Sequence, residues 1–291
     1  MFFDSHAHYY DARFAREYEG GADALLRKLF SENVSHIVNI GDSLKSSRQC
    51  IAQAARYPQM YTAVGIHPSC AGTECDINAA RRALCDLLDD AEKNKIVAVG
   101  EIGFDYHYDD TDRETQRAYF EMQMRVAEMY GFPVVIHDRE AHGDCFDMVC
   151  KYPKVRGVFH SYSGSAEMAA DLIRRGWIIS FSGVVTFKNA ERVRAVAKSV
   201  PMDKLLIAPS ISPSSIALEV PIAWEAVPMA IPLAIGSSIL KSLHTLSAHI
   251  FPSTPVNTMI ATVMETYPPS SSDTPIPIAV VIDFGRNDTY S

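Results

Sequence analysis

Over the first 207 residues the chain alternates short apolar runs with amphipathic stretches. The runs fall at residues 2–6, 36–39, 61–66, 96–102, 133–137, 157–160, 177–181 and 205–207. Each is short and several are rich in Val and Ile, which predicts strands of a parallel sheet buried on both faces. The stretches between them carry helical spacing. In residues 115–130, Tyr119, Met122, Val126 and Met129 recur along one face, and Gly131-Phe132-Pro133 supplies a stop. Strand and helix alternating about seven times over ~200 residues favours a closed (β/α) barrel over an open sheet. The expected fold class is therefore α/β, a (β/α)8 TIM-barrel-like architecture.

The pattern breaks after residue 207. Residues 208–291 hold 11 of the 16 prolines but only two basic residues, Lys241 and Arg286. Pro209, Pro213, Pro221, Pro228 and Pro232 recur too closely for ordinary helices or central strands. Residues 233–250 could form one amphipathic helix, and the Pro/Ser run at 267–277 reads as loop or linker. The expected organisation is a barrel unit at 1–207 with an atypical segment at 208–291, so that the eighth strand and helix region is unusual or incomplete. Two accounts of the segment compete. One is a sequence foreign to the barrel; the other is a divergent C-terminus covering an open barrel edge.

Composition narrows the functional classes. With 47% apolar and 21% charged residues the chain is globular. A net charge of −8 argues against a broadly basic nucleic-acid surface, although a bound metal can supply local positive charge. No basic and apolar leader opens the chain, and the longest uncharged apolar stretch, residues 226–240, is too short for a span and contains prolines. A soluble protein away from membranes is expected. The six cysteines form no CxxC pair and read as reduced thiols.

The chemistry lies at the ends of the apolar runs. Asp4-Ser5-His6-Ala7-His8 puts two imidazoles at i and i+2, on one face of a strand. His67 follows the third run, Glu101 lies in Gly100-Glu101-Ile102-Gly103, and His137 and His160 end the fifth and sixth runs. In a barrel these ends converge on one face, where active sites sit. Four histidines and a carboxylate suit Zn²⁺, Mn²⁺ or a similar cation, and they are too many for one tetrahedral ion. Two metals sharing the carboxylate is the natural arrangement. His36 reads as structural, His107 and His142 as rim residues, and Tyr9 and Tyr10 as packing residues or base-stacking candidates.

Asp4-Ser5-His6-Ala7-His8, Gly65-Ile66-His67-Pro68, the segment from Gly100 to Tyr106, Ile136-His137, and the segment from Phe159 to Gly164 occur in an order and spacing that resemble the TatD family of metal-dependent deoxyribonucleases. The resemblance covers residues 1 to about 207. It implies an amidohydrolase-like TIM barrel and a cytoplasmic phosphodiesterase acting on DNA, often as a 3′ exonuclease, with no membrane and no obligate protein partner. It implies two divalent ions (Mg²⁺, Mn²⁺ or Zn²⁺), one near His6, His8 and Glu101, the other near Glu101, His137 and His160. Glu101 would bridge them as the catalytic centre, His67 and Asp105 would line the substrate pocket, and Ser161 would lie near the scissile phosphate. Paired cations suit this reaction because they lower the pKa of a water and clamp phosphate oxygens.

The chain then departs from the family, which carries Glu-Thr-Asp-Ala/Ser-Pro after the eighth run, the Asp ligating the first metal. Here the sequence reads Ile207-Ala208-Pro209-Ser210-Ile211-Ser212-Pro213, and neither Asp203 nor Asp273, Asp283 or Asp288 offers a clear substitute. Impaired hydrolysis is the expectation. The competing readings are a non-catalytic metal-binding remnant and a C–N or ester hydrolase of the wider amidohydrolase group. Glu101, where that group often has a carboxylated lysine, favours the nuclease branch.

Overall fold

The computed structural model describes residues 2–32 and 34–207, together with two short strands at 258–262 and 279–283. The proposed helix at 233–250, the Pro/Ser run at 267–277, His244, His249, Asp273, Asp288 and the stretch from Ala208 to Pro213 lie outside the described residues.

The predicted alternation is realised in an eight-stranded parallel sheet whose strands pair in chain order. They are β1 (Phe2–Ala7), β2 (Val34–Ile40), β3 (Met60–Val64), β4 (Ile96–Asp105), β5 (Val134–Arg139), β6 (Gly157–Phe159), β7 (Ile178–Phe181) and β8 (Leu205–Ile207). The helices between them are α1 (Arg13–Glu17), α2 (Gly21–Glu32), α3 (Leu44–Ala54), α4 (Pro68–Ala71), α5 (Ile77–Asp89), α6 (Arg113–Tyr130), α7 (His142–Cys150), α8 (Ala166–Arg174) and α9 (Glu191–Ser199). The sheet curls into a nearly closed (β/α) barrel. Across the remaining seam Ser5 Oγ donates to the Ile207 carbonyl at 3.4 Å. A separate antiparallel pair joins β9 (Thr258–Thr262) to β10 (Ala279–Asp283).

Helix α6 begins two residues before the expected 115, because Asp112 caps it, accepting from the Thr115 N–H at 2.9 Å. It ends where predicted: Gly131 adopts φ 74°, and its N–H reaches back to Ala127. The large core lies between strands and helices. Phe104 meets Phe120 edge-on at 5.1 Å, and Phe159 meets Trp177 at 5.3 Å. A smaller cluster of Val38, Ile40, Ala63, Ala98 and Val135, with Phe3 and Val158 against it, comes from strands alone and lines the barrel. All six cysteines are free thiols, Cys50 and Cys145 being buried.

Glycine lets β4 approach β5. Gly103 pairs with His137 and has φ 149°; a Cβ there would fall 1.9 Å from the His137 carbonyl oxygen. At Gly131 a Cβ would meet nothing within 4 Å. Gly103→Ala is therefore expected to cost at least about 3 kcal/mol, from overpacking and backbone strain together, and Gly131→Ala about 1 kcal/mol. Urea midpoints of the two variants check this, and equal losses would refute the close-approach argument.

Candidate metal centre

The strand ends bring the predicted residues together. His6 is the penultimate residue of β1 and His8 follows the strand; their rings stand 4.9 Å apart with the Nε2 atoms 3.0 Å from each other. Glu101, buried on β4, reaches between them and β5. Its Oε2 lies 3.3 Å from His6 Nε2 and 4.0 Å from His8 Nε2, and its Oε1 lies 2.9 Å from His137 Nδ1. His160, just past β6, stacks on His6 at 3.4 Å between centroids. One ligand atom each from His6, Glu101 and His160 falls within 4.8 Å of the others, and the same holds for His67, Asp105 and His137.

The electrostatics suit a cation. His8 Nδ1 sits 2.8 Å from the Ile40 carbonyl, an acceptor only, so Nδ1 carries the proton and Nε2 presents its lone pair to the centre. Burial, then the nearby His6, lowers the His8 pKa; burial does the same to His160. Both are therefore neutral, as metal ligation requires. Burial pushes Glu101 up, but His6 and His137 outweigh it and hold the carboxyl well below its ordinary range. For His137, burial alone would favour loss of the proton; the Asp105 and Glu101 carboxylates reverse this and raise it to about 9. Among the described residues, buried His6 Nδ1 has no hydrogen-bond partner. Histidine nitrogens gathered around one buried carboxylate, each able to give a lone pair once deprotonated, make a donor set that fits a divalent ion of the zinc or manganese type.

The other predicted residues fall around this centre. His67 caps α4, its Nδ1 accepting from the Ser69 N–H at 3.2 Å, and its ring lies 4.2 Å from that of His137. Asp105 is buried against His137, its Oδ2 3.0 Å from Nε2. Ser161, at φ 47°, turns its hydroxyl to Ser182, 2.6 Å away. His36 packs between the rings of Phe3 and Tyr61, away from the centre. His107 pairs with Glu140 and His142 with Asp138. Tyr9 is buried, Asp203 is exposed, and Tyr10 leans on His8.

Residues 3–214 match the model of the TatD related DNase family. The chain belongs to the TatD family. It is 32% identical to the uncharacterized metal-dependent hydrolase YabD of Bacillus subtilis over 71% of this chain and 78% of that protein. It is 29% identical to YjjV of Escherichia coli, also described as an uncharacterized metal-dependent hydrolase, over 71% and 77%. The crystal structure of YjjV superposes with a TM-score of 0.63 at 28% identity, covering 70% of this chain and 77% of that one. A TatD family hydrolase from Entamoeba histolytica superposes at 0.60 with 26% identity, over 72% and 73%. Membership makes this chain a metal-dependent hydrolase on a TIM-barrel-like fold, and among its described residues no helix is long and apolar enough to cross a membrane.

Sequence reasoning missed the polar side chains that hold the strand ends. Gln123 accepts from the Ile66 N–H at 2.7 Å and donates to the Ile66 carbonyl at 3.0 Å. Gln116 does the same for Asp105, both contacts at 2.9 Å. Asn39 accepts from the Tyr9 N–H at 2.9 Å, and Gln53 donates to the Tyr9 carbonyl at 3.3 Å. The available signal was two glutamines seven apart on the buried face of α6, and an asparagine inside an apolar strand.

Zn²⁺ or Mn²⁺ at about a hundredfold excess over its dissociation constant is expected to add about 2.7 kcal/mol of stability. Glu101→Ala should abolish that gain; an undiminished gain in scanning calorimetry would remove Glu101 from the ligand set. Since His137 keeps its proton to about pH 9, metal uptake at neutral pH should also release protons. Calorimetric heats independent of buffer ionisation would contradict this.

Proposed function

We propose that the chain is a TatD-type deoxyribonuclease that hydrolyses phosphodiester bonds in DNA, of the 3′ exonuclease kind, with two divalent ions sharing Glu101. One observation carries this reading. The two oxygens of a single buried carboxylate face different histidines, Oε2 toward His6 and His8, Oε1 toward His137. A carboxylate so placed supports the reading of a shared ligand. His6 and His8 would complete one ion's set, His137 and His160 the other's. Such ions supply Lewis acidity to the phosphate and to the attacking water.

The chain's own residues do the rest. Glu101, buried, would hold one ion through each of its two oxygens. His8 is locked by the Ile40 carbonyl into the tautomer that offers Nε2. His67, with Nδ1 accepting from the Ser69 N–H and hydroxyl, would carry its proton on Nε2 and could donate it to a phosphate oxygen. Ser161 lies beside His160 with its hydroxyl on Ser182 at 2.6 Å, and it would have to turn from that partner to approach the scissile group. No basic groove is needed when cations at the centre attract the backbone, which is consistent with the net charge of −8.

The sequence after β8 offers no carboxylate where the family has its Asp, so hydrolysis slower than that of an intact two-metal centre belongs to the proposal. We read residues 1–207 as the hydrolase unit, 208–291 as an atypical appendage, and the protein as cytoplasmic, acting on DNA without an obligate protein partner.

Purified protein incubated with a short single-stranded DNA and Mg²⁺, Mn²⁺ or Zn²⁺ is the test. The expected outcome is slow cleavage that EDTA and Glu101→Ala both abolish. A folded, metal-loaded protein that leaves DNA intact under all three ions would replace the reading with that of a metal-binding remnant.

A further inference from the structure

We propose that Asp105 and Gln116 are positioning residues for His137, and that the His67–Asp105–His137 group is a hydrogen-bonded support rather than the seat of a further ion. This rests on the reading of Glu101 as the shared ligand. It assigns which nitrogen of His137 serves the metal centre, and by what means.

His137 has a carboxylate at each end: Nδ1 is 2.9 Å from Glu101 Oε1, and Nε2 is 3.0 Å from Asp105 Oδ2. A neutral imidazole offers one lone pair and one N–H. If Nδ1 serves the centre beside Glu101, the proton is on Nε2, and Asp105 is the acceptor that keeps it there. A carboxylate behind a ligating histidine fixes the ring's tautomer and angle and raises its basicity.

Asp105 is itself immobilised from every side. Its Oδ1 accepts from the N–H groups of His107 at 3.0 Å and Tyr108 at 3.3 Å. Its own backbone N–H donates to Gln116 Oε1, and its carbonyl accepts from Gln116 Nε2, both at 2.9 Å. Gln116 is 2% exposed and spends its other amide proton on the Thr111 carbonyl at 2.9 Å. Helix α6 thus sets the position of β4's last residue, and that residue sets the His137 ring.

His67 argues against an ion within this group. His67 Nδ1 faces both the Ser69 hydroxyl at 2.7 Å and the Ser69 backbone N–H at 3.2 Å; the N–H can only donate, so the tautomer that satisfies both contacts has Nδ1 accepting and the proton of the neutral ring on Nε2. With Nδ1 engaged and Nε2 protonated, His67 has no lone pair to give a metal. Asp105, with Oδ2 on His137 and Oδ1 on two N–H groups, is likewise occupied. The group is geometrically compact but chemically satisfied.

The test is Zn²⁺ competition against a chromophoric chelator, using the metal-stripped full chain and variants kept below their melting temperatures. Asp105→Ala and Gln116→Met should weaken Zn²⁺ binding about 10–100-fold at unchanged stoichiometry, with Asp105→Asn recovering part of the loss and His67→Gln staying within about twofold of the parent. A lower melting temperature with parental affinity in Asp105→Ala and Gln116→Met would make both merely structural and overturn the proposal. Loss of one Zn²⁺ equivalent in both His67→Gln and Asp105→Ala would make the group an ion site and overturn it too. If the parent chain binds no Zn²⁺, the metal-centre reading fails on its own account. The relay is then decided by the metal-free crystal structure of Gln116→Met: Asp105 displaced from His137 supports it, and Asp105 still at hydrogen-bond distance refutes it.

Discussion

Everything at the mouth of this barrel depends on keeping one carboxylate charged inside protein. An ionised group taken out of water costs several kcal/mol unless it is paired and hydrogen-bonded. Glu101 is 5% exposed, and imidazoles rather than arginine or lysine answer its charge. Imidazole is a conditional partner: it can hold a proton beside the carboxylate or release it and offer a lone pair. The same set of side chains can therefore stabilise the charge before a cation arrives and coordinate the cation afterward. A fixed cation such as arginine would have stabilised Glu101 and closed the site.

That arrangement needs the rings held at defined angles, and the fold supplies this through backbone rather than through packing alone. Side-chain amides grip the residue before His67, the residue after His8, and Asp105 itself, in each case through both N–H and carbonyl. A buried amide with every hydrogen-bonding atom engaged is costly to displace, because each lost partner leaves an unsatisfied group in a low-dielectric interior. The barrel strands deliver the residues to one end, and the amides of α3 and α6 hold the backbone there.

Much of this was legible in the chain. All eight apolar runs became strands near the positions read from sequence, because a doubly covered parallel strand leaves an unmistakable apolar signature. The site was legible because, although a single His or Glu after such a run is most often an ordinary core or rim residue, five of them at strand ends that meet at one end of a barrel are hard to explain that way. Two features were hidden. Asp105 looked like a pocket residue, since an aspartate past a strand end says nothing about which neighbour it faces; its bond to His137 is a matter of register between β4 and β5. Gln116 and Gln123 were hidden because their partners lie 11 and 57 residues away. A polar position on an apolar helix face records that some partner exists, but not which.

The seam closed by Ser5 and Ile207 carries a kinetic meaning. The strand bearing His6, with His8 just past its end, is made first, yet β8, which faces it across the seam, is made last among the barrel strands. At ribosomal rates of about 5–20 residues per second, those histidines wait roughly 10–40 s for the wall that encloses them. During that interval the imidazoles, and then Glu101, are displayed on an open, curling sheet. The barrel is thus a fold whose chemistry exists in fragments before its shape does, and whose last short strand decides when the fragments become an interior.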